Sequence, residues 1–263
     1  MNELEFVEDM LRQTSVYAKE KYADRVNIEV SMKDEASNLL TEVDLEVQKR
    51  IVERIDKDFP GDLVVAEEAG LDRNPSDEGC RCWVMDPIDG TQNFVRGLFP
   101  IFGISLAFVV GGKAQAGGVI MPVSGDLFLG ERGAGSFRNG KRMQVSAIDD
   151  LERAKLEFDF VRLSKREAAL RIADQALRQS AAVRSKGCAV AALCSVAAGD
   201  ADAYIHIGLS PWDYAAAQLL VEEAGGTLTR MDGSPLELFD DKKGLLATNG
   251  ILHEQYLSLL AVD

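Results

Sequence analysis

A chain of 263 residues with 46% hydrophobic and 27% charged side chains has the balance of an ordinary globular protein, long enough for one large domain or two smaller ones. Its net charge of −14 excludes a duplex nucleic-acid binder, which needs a basic face, and would repel an anionic substrate unless bound cations inverted the local field. The amino-terminal stretch lacks the basic start and apolar core of a signal peptide, and no apolar run is long enough to span a bilayer. The four cysteines include Cys80 and Cys82 but no second pair at zinc-site spacing, so they read as reduced thiols, and a cytoplasmic chain with no membrane partner is expected.

In chain order, Leu4, Val7, Leu11, Thr14 and Ala18 recur at helical spacing and predict an amphipathic helix over residues 3–22. Ile28, Val30 and Met32 alternate as a strand, and the polar run Lys33 to Asn38 reads as a loop. A second helix starts near Thr41, with Val43, Val47, Ile51 and Ile55 on one stripe and Phe59-Pro60-Gly61 at its end. The apolar run 62–66 ends in Glu67-Glu68, and 71–79 is a polar connection. Cys82 to Met85 is a buried strand expected to stop at Asp86, because Pro87 has no amide hydrogen for a ladder. Strands follow over 101–110, 114–122, 126–130 and 135–138, with Asn139-Gly140 as a hairpin turn. A change of composition near Asp149-Asp150 marks the expected boundary between two domains, 1–150 and 151–263. Beyond it, strands carrying Leu156, Phe158 and Phe160, then 181–184, 203–207, 227–231 and 244–247, alternate with helices over 165–179, 189–198, 211–224 and 254–260, which implies an α/β layer.

The chemistry concentrates at element ends. Asp86 and Asp89 are three apart in a turn, Gly90 permits a left-handed bend, and Thr91 stands where a short helix starts with free amide hydrogens. Hard anionic oxygens, a hydroxyl and a helix start are the parts that hold Mg²⁺ beside a phosphate. Asp44 and Asp213 both fall in a first helical turn, Glu67 at a strand end. The plainer reading is that each aspartate caps a helix or turn. Of the adjacent Glu67 and Glu68, only one reaches a given pocket, since neighbouring strand residues face opposite ways.

Taken together, Asn38-Leu-Leu-Thr-Glu-Val-Asp44, Glu67-Glu68, Trp83-Val-Met-Asp-Pro-Ile-Asp-Gly-Thr-Gln-Asn-Phe-Val-Arg-Gly97, Gly199-Asp-Ala-Asp-Ala-Tyr204, Trp212-Asp213 and Glu222-Glu223-Ala-Gly-Gly226 resemble the inositol monophosphatase family over nearly the whole chain. The resemblance implies an α+β, layered αβαβα sandwich of the inositol monophosphatase and fructose bisphosphatase type, dimeric, hydrolysing small phosphate monoesters with two or three Mg²⁺ per subunit and inhibited by Li⁺. Carried over by position, Glu67, Asp86 and the Ile88 carbonyl hold one metal. Asp86, Asp89 and Asp213 hold a second, and Glu67 supports a third through water. Thr91 paired with Asp44 orients the attacking water, the amides of Gly90 and Thr91 receive the phosphate, and Lys33 matches a mobile-loop lysine near the metals. Several carboxylates in one pocket cannot all ionise without cations, and two metals about 3.5–4 Å apart activate the nucleophile and stabilise the leaving alkoxide together. The haloacid-dehalogenase phosphatases, with acids two apart and an aspartate nucleophile, fit less well.

The departures lie on the substrate side. The family's Gly-Thr-Ala loop, which grips substrate hydroxyls, reads Gly187-Cys188-Ala189, and a following Glu position is His206. A carboxylate accepts two or more hydroxyl hydrogen bonds, whereas neutral His offers one donor and one acceptor. Substrate contacts are therefore expected from Asp89, Gly187, Cys188, Ala189 and His206, with inositol monophosphate or a related sugar or polyol phosphate as substrate. The other candidates are fructose bisphosphate, histidinol phosphate and adenosine bisphosphate; Gln92-Asn93-Phe94 fits the inositol branch better than the adenosine-bisphosphate one. Arg184 and Lys186 offer a second anionic contact but read more simply as solvated charges. A non-catalytic metal-binding module would have lost Thr91, Glu67 or a metal aspartate, and none is missing.

Overall fold

The structure, a computed structural model, describes residues 1–33, 39–67, 75–97, 99–159, 166–240 and 244–261. Helix α1 (Glu3–Ala23) opens with a capping box in which the Asn2 side chain accepts the Glu5 amide and the Glu5 carboxylate accepts the Asn2 amide. Its buried stripe adds Phe6 and Met10 to the predicted one, while Leu4 is half-buried. Helix α2 (Glu42–Asp58) buries Val43, Val47, Ile51 and Ile55 as its periodicity demands. Strands β1 (Val30–Met32) and β2 (Leu39–Thr41) form an antiparallel ribbon between them. The alternation in β1 marks no buried face, since all three of its residues are exposed.

A seven-stranded sheet follows chain order: β3 (Leu63–Ala66), β4 (Arg81–Asp89), β5 (Gly103–Val110), β6 (Lys113–Met121), β7 (Asp126–Glu131), β8 (Gly135–Arg138) and β9 (Lys141–Arg142). The β3–β4 pair is parallel and every later pair antiparallel. One expectation is corrected here: Pro87 does not end its strand. β4 runs on to Asp89, and the register against β5 shifts between Asp86 and Asp89. At such an irregularity the ladder is already open, so a residue without an amide hydrogen forfeits no bond. The short helix α3 (Thr91–Arg96) follows at once, after Gly90 at φ 89°.

The second half supplies β10 (Lys155–Phe158), α4 (Arg166–Gln179), β11 (Ala182–Arg184), α5 (Ala189–Ala197), β12 (Ala203–His206), α6 (Pro211–Glu223), β13 (Thr227–Thr229), β14 (Leu245–Thr248) and α7 (His253–Leu260). Its five-stranded sheet has the order β11-β10-β12-β14-β13, with the first three strands parallel and β14 antiparallel to both neighbours. Phe160 and Lys165, predicted to extend β10 and α4, lie outside the described residues, as do Glu68 and Asn38.

Three apolar clusters stack these elements into α, β, α, β, α layers. α1 and α2 pack on one face of the larger sheet around Trp83, Met85, Ile104 and Leu106. α5 and α6 lie between the sheets, joining Val65, Val84 and Val109 of one to Tyr204, Leu245 and Ala247 of the other. α4 and α7 cover the outer face of the smaller sheet over Leu156, Phe158 and Leu246. Runs of alanine in the central helices (Ala189, Ala191 and Ala192; Ala215 to Ala217) let both sheets approach closely.

The strand that carries Asp86 is anchored from behind. Trp83 packs against Phe6, Phe59 and Phe108 at ring-centroid distances of 4.8, 4.9 and 5.0 Å, and its indole N–H donates to Asp62 at 3.0 Å. Each such aromatic pair contributes about 0.5–1.5 kcal/mol beyond area burial. Helix α1, the end of α2 and strand β4 are thereby held as one block, with the acids at its edge.

Candidate active site

Four elements bring their ends together where β4 breaks register. The Asp86 carboxylate turns back to accept the Ile88 amide at 3.0 Å, and the Thr91 hydroxyl donates to the Ile88 carbonyl at 2.9 Å. This closes the turn. A Cβ at Gly90 would sit 3.1 Å from Cys188 Cβ and 3.1 Å from the Ile101 carbonyl, in a backbone conformation L side chains rarely adopt. Only glycine lets the 187–189 loop lie directly on this turn.

Asp89 is held across the two halves of the chain. Its Oδ2 accepts the Val190 amide at 2.6 Å and the Cys188 thiol at 3.3 Å. α5 begins at Cys188 without a cap from its own segment, and Asp89 supplies that cap from β4. Gly103, paired with Asp89 in the ladder, makes the approach feasible: a Cβ there would meet the Val190 side chain at 2.7 Å.

Asp44 and Asp213 occupy the same position in two capping boxes, and here the plainer reading of the sequence holds as well. Asp44 Oδ2 accepts the Thr41 amide at 2.9 Å and the Thr41 hydroxyl in a shorter contact, while Thr41 Oγ1 accepts the Val43 amide at 3.1 Å. Asp213 Oδ2 accepts the Ser210 amide at 2.7 Å at the start of α6. Their surroundings differ: Asp44 Oδ1 is buried with no hydrogen-bond partner, whereas the Asp213 carboxyl lies beside that of Asp86. Glu67, at the end of β3, pairs with the Lys33 ammonium at 2.6 Å.

Electrostatics bind these acids into one group. Burial drives the Asp86 carboxyl well above the usual range, and the charges of Glu67, Asp89, Asp213 and Asp44 push it further. Burial likewise raises Asp44 to about 7, with Glu67 adding to the effect against the bonds from Thr41. Asp89 rises to about 7, again through burial first, although the Val190 amide and Cys188 thiol oppose it. Asp213 rises to about 8 through burial and the Asp89 charge. Asp44 and Asp86 are closed to solvent; Asp89 and Asp213 stand at the rim, partly open, where water tempers the shift. Aggregated carboxylates of this kind require protons or a cation.

The donor set fits Mg²⁺. It is all oxygen, hard and mostly anionic: the carboxylates of Glu67, Asp86, Asp89 and Asp213 with the Ile88 carbonyl. Among the described residues no three His, Cys, Asp or Glu side chains stand together in ligand geometry; Lys33, the Val190 amide and the Ser210 amide each hold one of the acids.

The remaining predicted residues take varied places. Lys33 reaches the group through Glu67, and Gly187, Cys188 and Ala189 line its far side. His206 ends β12, nearly buried, with Nδ1 accepting the Gly208 amide at 3.0 Å and its ring 6.0 Å from that of Tyr204. Arg184 is exposed as expected, but Lys186 is not a solvated charge: its ammonium lies 3.0 Å from the buried Glu157 carboxylate. Residue periodicity also gave no sign of Asn93, whose side-chain amide donates to the Ile101 and Lys186 carbonyls at 2.8 and 2.7 Å and so ties α3 to the 185–189 loop.

Comparison with known proteins agrees with this geometry. The sequence profile of the inositol monophosphatase family matches residues 3–261. The chain is 35% identical over 233 residues to the chloroplastic phosphatase IMPL1 of Arabidopsis thaliana, a match covering 86% of this chain and 62% of that longer protein. It is 34% identical to the fructose-1,6-bisphosphatase/inositol-1-monophosphatase of Thermotoga maritima, covering 90% and 86% of the two chains. Among solved structures, the extragenic suppressor protein suhB of Bartonella henselae superposes with a TM-score of 0.91 at 29% identity, covering 98% of this chain and 97% of that one. An IMPase/NADP phosphatase complexed with Mg²⁺ and phosphate does so with a TM-score of 0.85 at 25% identity, covering 100% and 97%. Sequence match, layered fold and the gathering of acids at the β4 turn coincide, and the chain belongs to the inositol monophosphatase family, a Mg²⁺-dependent family of phosphomonoesterases.

Proposed function

We propose that the chain hydrolyses a small sugar or polyol phosphate, inositol monophosphate or a close relative, at the acid group around Asp86. The observation that carries this reading is the convergence of Asp44, Asp86, Asp89 and Asp213, two of them buried and two at the rim, with all four carboxyls pushed up so that they need a cation to coexist ionised. Glu67, Asp86 and the Ile88 carbonyl would hold one Mg²⁺, and Asp86, Asp89 and Asp213 a second, with Glu67 supporting a third. Bound there, Mg²⁺ supplies Lewis-acid activation of water and charge stabilisation of the leaving alkoxide. The chain's own residues do the rest. The Gly90 and Thr91 amides at the start of α3 receive phosphate oxygens. Thr91 Oγ, now donating to Ile88, turns to the attacking water, and Asp44 Oδ1 is the acceptor left over for its proton. Gly187, Cys188, Ala189 and His206 contact the alcohol part, and the Lys33 ammonium neutralises Glu67 until metal replaces it.

The organisation follows the same reading: residues 1–150 carry most metal ligands, 151–263 carry Asp213 and the substrate side, and the protein acts as a cytoplasmic homodimer. No helix among the described residues is long and apolar enough to cross a membrane. Fructose 1,6-bisphosphate is a second substrate to weigh, because the Thermotoga maritima relative is named for both activities. Phosphate release should be measured with and without Mg²⁺ across inositol monophosphate, fructose bisphosphate, histidinol phosphate and adenosine bisphosphate. Mg²⁺-dependent release led by one polyol phosphate is expected. Silence from the whole panel, with Mg²⁺ bound, would sink the reading.

A further inference from the structure

The 185–190 loop is gripped from a side that the reaction does not touch. Asp159 follows β10 directly, at the carboxyl ends of the parallel strands β11, β10 and β12, where the chain leaves β10 toward one side and β12 toward the other. Crevices at such switch points are where α/β sheets place ligands. The Asp159 side chain, 7% exposed, accepts the Ser185 hydroxyl at 2.7 Å and the Gly187 amide at 2.9 Å on one oxygen, and the Tyr204 hydroxyl at 3.1 Å on the other. Two residues back on the same face of β10, Glu157 takes Lys186 at 3.0 Å. Successive loop residues 185, 186 and 187 are thus each tied to an acid in or directly after β10.

The far end of that loop delivers the Cys188 thiol and Val190 amide to Asp89. Asp89 has no other hydrogen-bond donors among the described contacts, so its orientation depends on where the loop sits. A carboxylate displaced by a fraction of an ångström from its ligand position loses metal affinity, because a small hard cation tolerates little departure from its preferred geometry.

We propose that Asp159 is a positioning residue for the phosphatase reaction: it locks the 185–190 loop and, through the Val190 amide and Cys188 thiol, sets the carboxylate of Asp89. The inference rests on the reading of the Asp86–Asp89–Asp213 group as the metal site. It assigns to the smaller sheet a role in metal binding beyond lining the substrate, carried by a residue that touches neither metal nor phosphate.

The test uses Mn²⁺ as a probe, with binding to the full-length protein followed by calorimetry in the absence of substrate, and Mg²⁺-dependent phosphate release measured alongside. Asp159→Ala should weaken Mn²⁺ about tenfold and raise the Mg²⁺ concentration for half-maximal activity by a similar factor. Asp159→Asn keeps a carbonyl oxygen for Ser185 and Gly187 and should recover most of that loss. Tyr204→Phe removes the third bond to Asp159 without touching the loop and should leave Mn²⁺ affinity within about twofold. If Asp159→Ala does not fold, Ser185→Ala, which removes a single loop bond, should still weaken Mn²⁺ severalfold. Unchanged Mn²⁺ affinity in Asp159→Ala and Ser185→Ala, or an equal loss in Tyr204→Phe, would overturn the positioning role while leaving the site itself standing. A wild-type chain that neither binds Mn²⁺ nor releases phosphate would instead remove the site reading, and the positioning role with it.

Discussion

Two helix starts carry the same local motif and lead to different chemistry. At α2, Thr41 and Asp44 close a capping box; at α6, Asp213 reaches back to Ser210 in the same way. Locally, both aspartates satisfy a helix start with one oxygen. The difference lies in what surrounds the carboxyl: Asp213 lies beside Asp86, whereas Asp44 Oδ1 is shut in without a partner. A capping motif therefore fixes one half of a carboxylate and presents the other half, which on the proposed reading serves as a ligand at Asp213 and as a base at Asp44. The plainer reading and the functional one are not rivals here, because the cap is what holds the functional oxygen still.

Breaking the comparison at its functional half has the largest expected effect. Asp213→Asn should cost about a thousandfold or more in kcat, since it removes a charge from the proposed metal set, and it should raise the Mg²⁺ requirement; Asp44→Asn should lower kcat about a hundredfold with little change in Mg²⁺ requirement. Steady-state kinetics over a Mg²⁺ series separates the two. An equal rise in Mg²⁺ requirement for both would mean that Asp44 is a ligand.

The same acids make stability depend on pH in an unusual sense. Asp44 and Asp89 at about 7 and Asp213 at about 8 lie above the ordinary aspartate value of 3.8, so the folded chain binds protons that the unfolded chain has released. Their contribution is complete below the unfolded value and is lost as pH rises through 7 to 8. In EDTA the unfolding temperature should therefore be higher at pH 6 than at pH 8, and saturating Mg²⁺ should flatten that slope. A melting series at the two pH values, with and without Mg²⁺, reads it directly; a metal-free chain that is more stable at pH 8 would contradict the shifts.

Breaking the local half should act on stability. Thr41→Val removes the hydroxyl that both donates to Asp44 and accepts the Val43 amide, and should cost about 1–2 kcal/mol in urea unfolding. Ser210→Ala leaves the backbone amide that Asp213 uses, and should cost less than about 1 kcal/mol. The smallest effect is expected at Cys188. Cys188→Ala removes a weak thiol donor while Val190 still holds Asp89, so the Mg²⁺ requirement should rise only about two- to threefold, and Cys188→Ser should restore it. A loss in Cys188→Ser as large as in Cys188→Ala would place the thiol's role in packing.

Much of this was legible before the fold was known, for reasons that can be named. The α1 and α2 stripes follow a 3.6-residue period, and the β5 to β9 meander is punctuated by glycine turns such as Asn139-Gly140, so local rules suffice for both. Local rules failed at Pro87, where they demanded a strand end and the chain instead runs through an open register to Asp89. They failed again at Lys186, whose charge looked solvated because its partner Glu157 lies 29 residues away, on β10.

The sequence by itself determined which residues could bind a hard cation and where the capped, strongly periodic helices lie, because capping, periodicity and turn chemistry act over three or four neighbours. It determined too that Asp44, Asp86, Asp89, Glu67 and Asp213 belong to one recognisable pattern. Only the tertiary structure decided that the cap of α5 comes from Asp89 across the sandwich, that Asp44 keeps one oxygen without a partner, and that Asp159 grips the loop between them. Those facts depend on two sheets closing over α5 and α6, and burial and long-range hydrogen bonds leave no period in the chain that makes them.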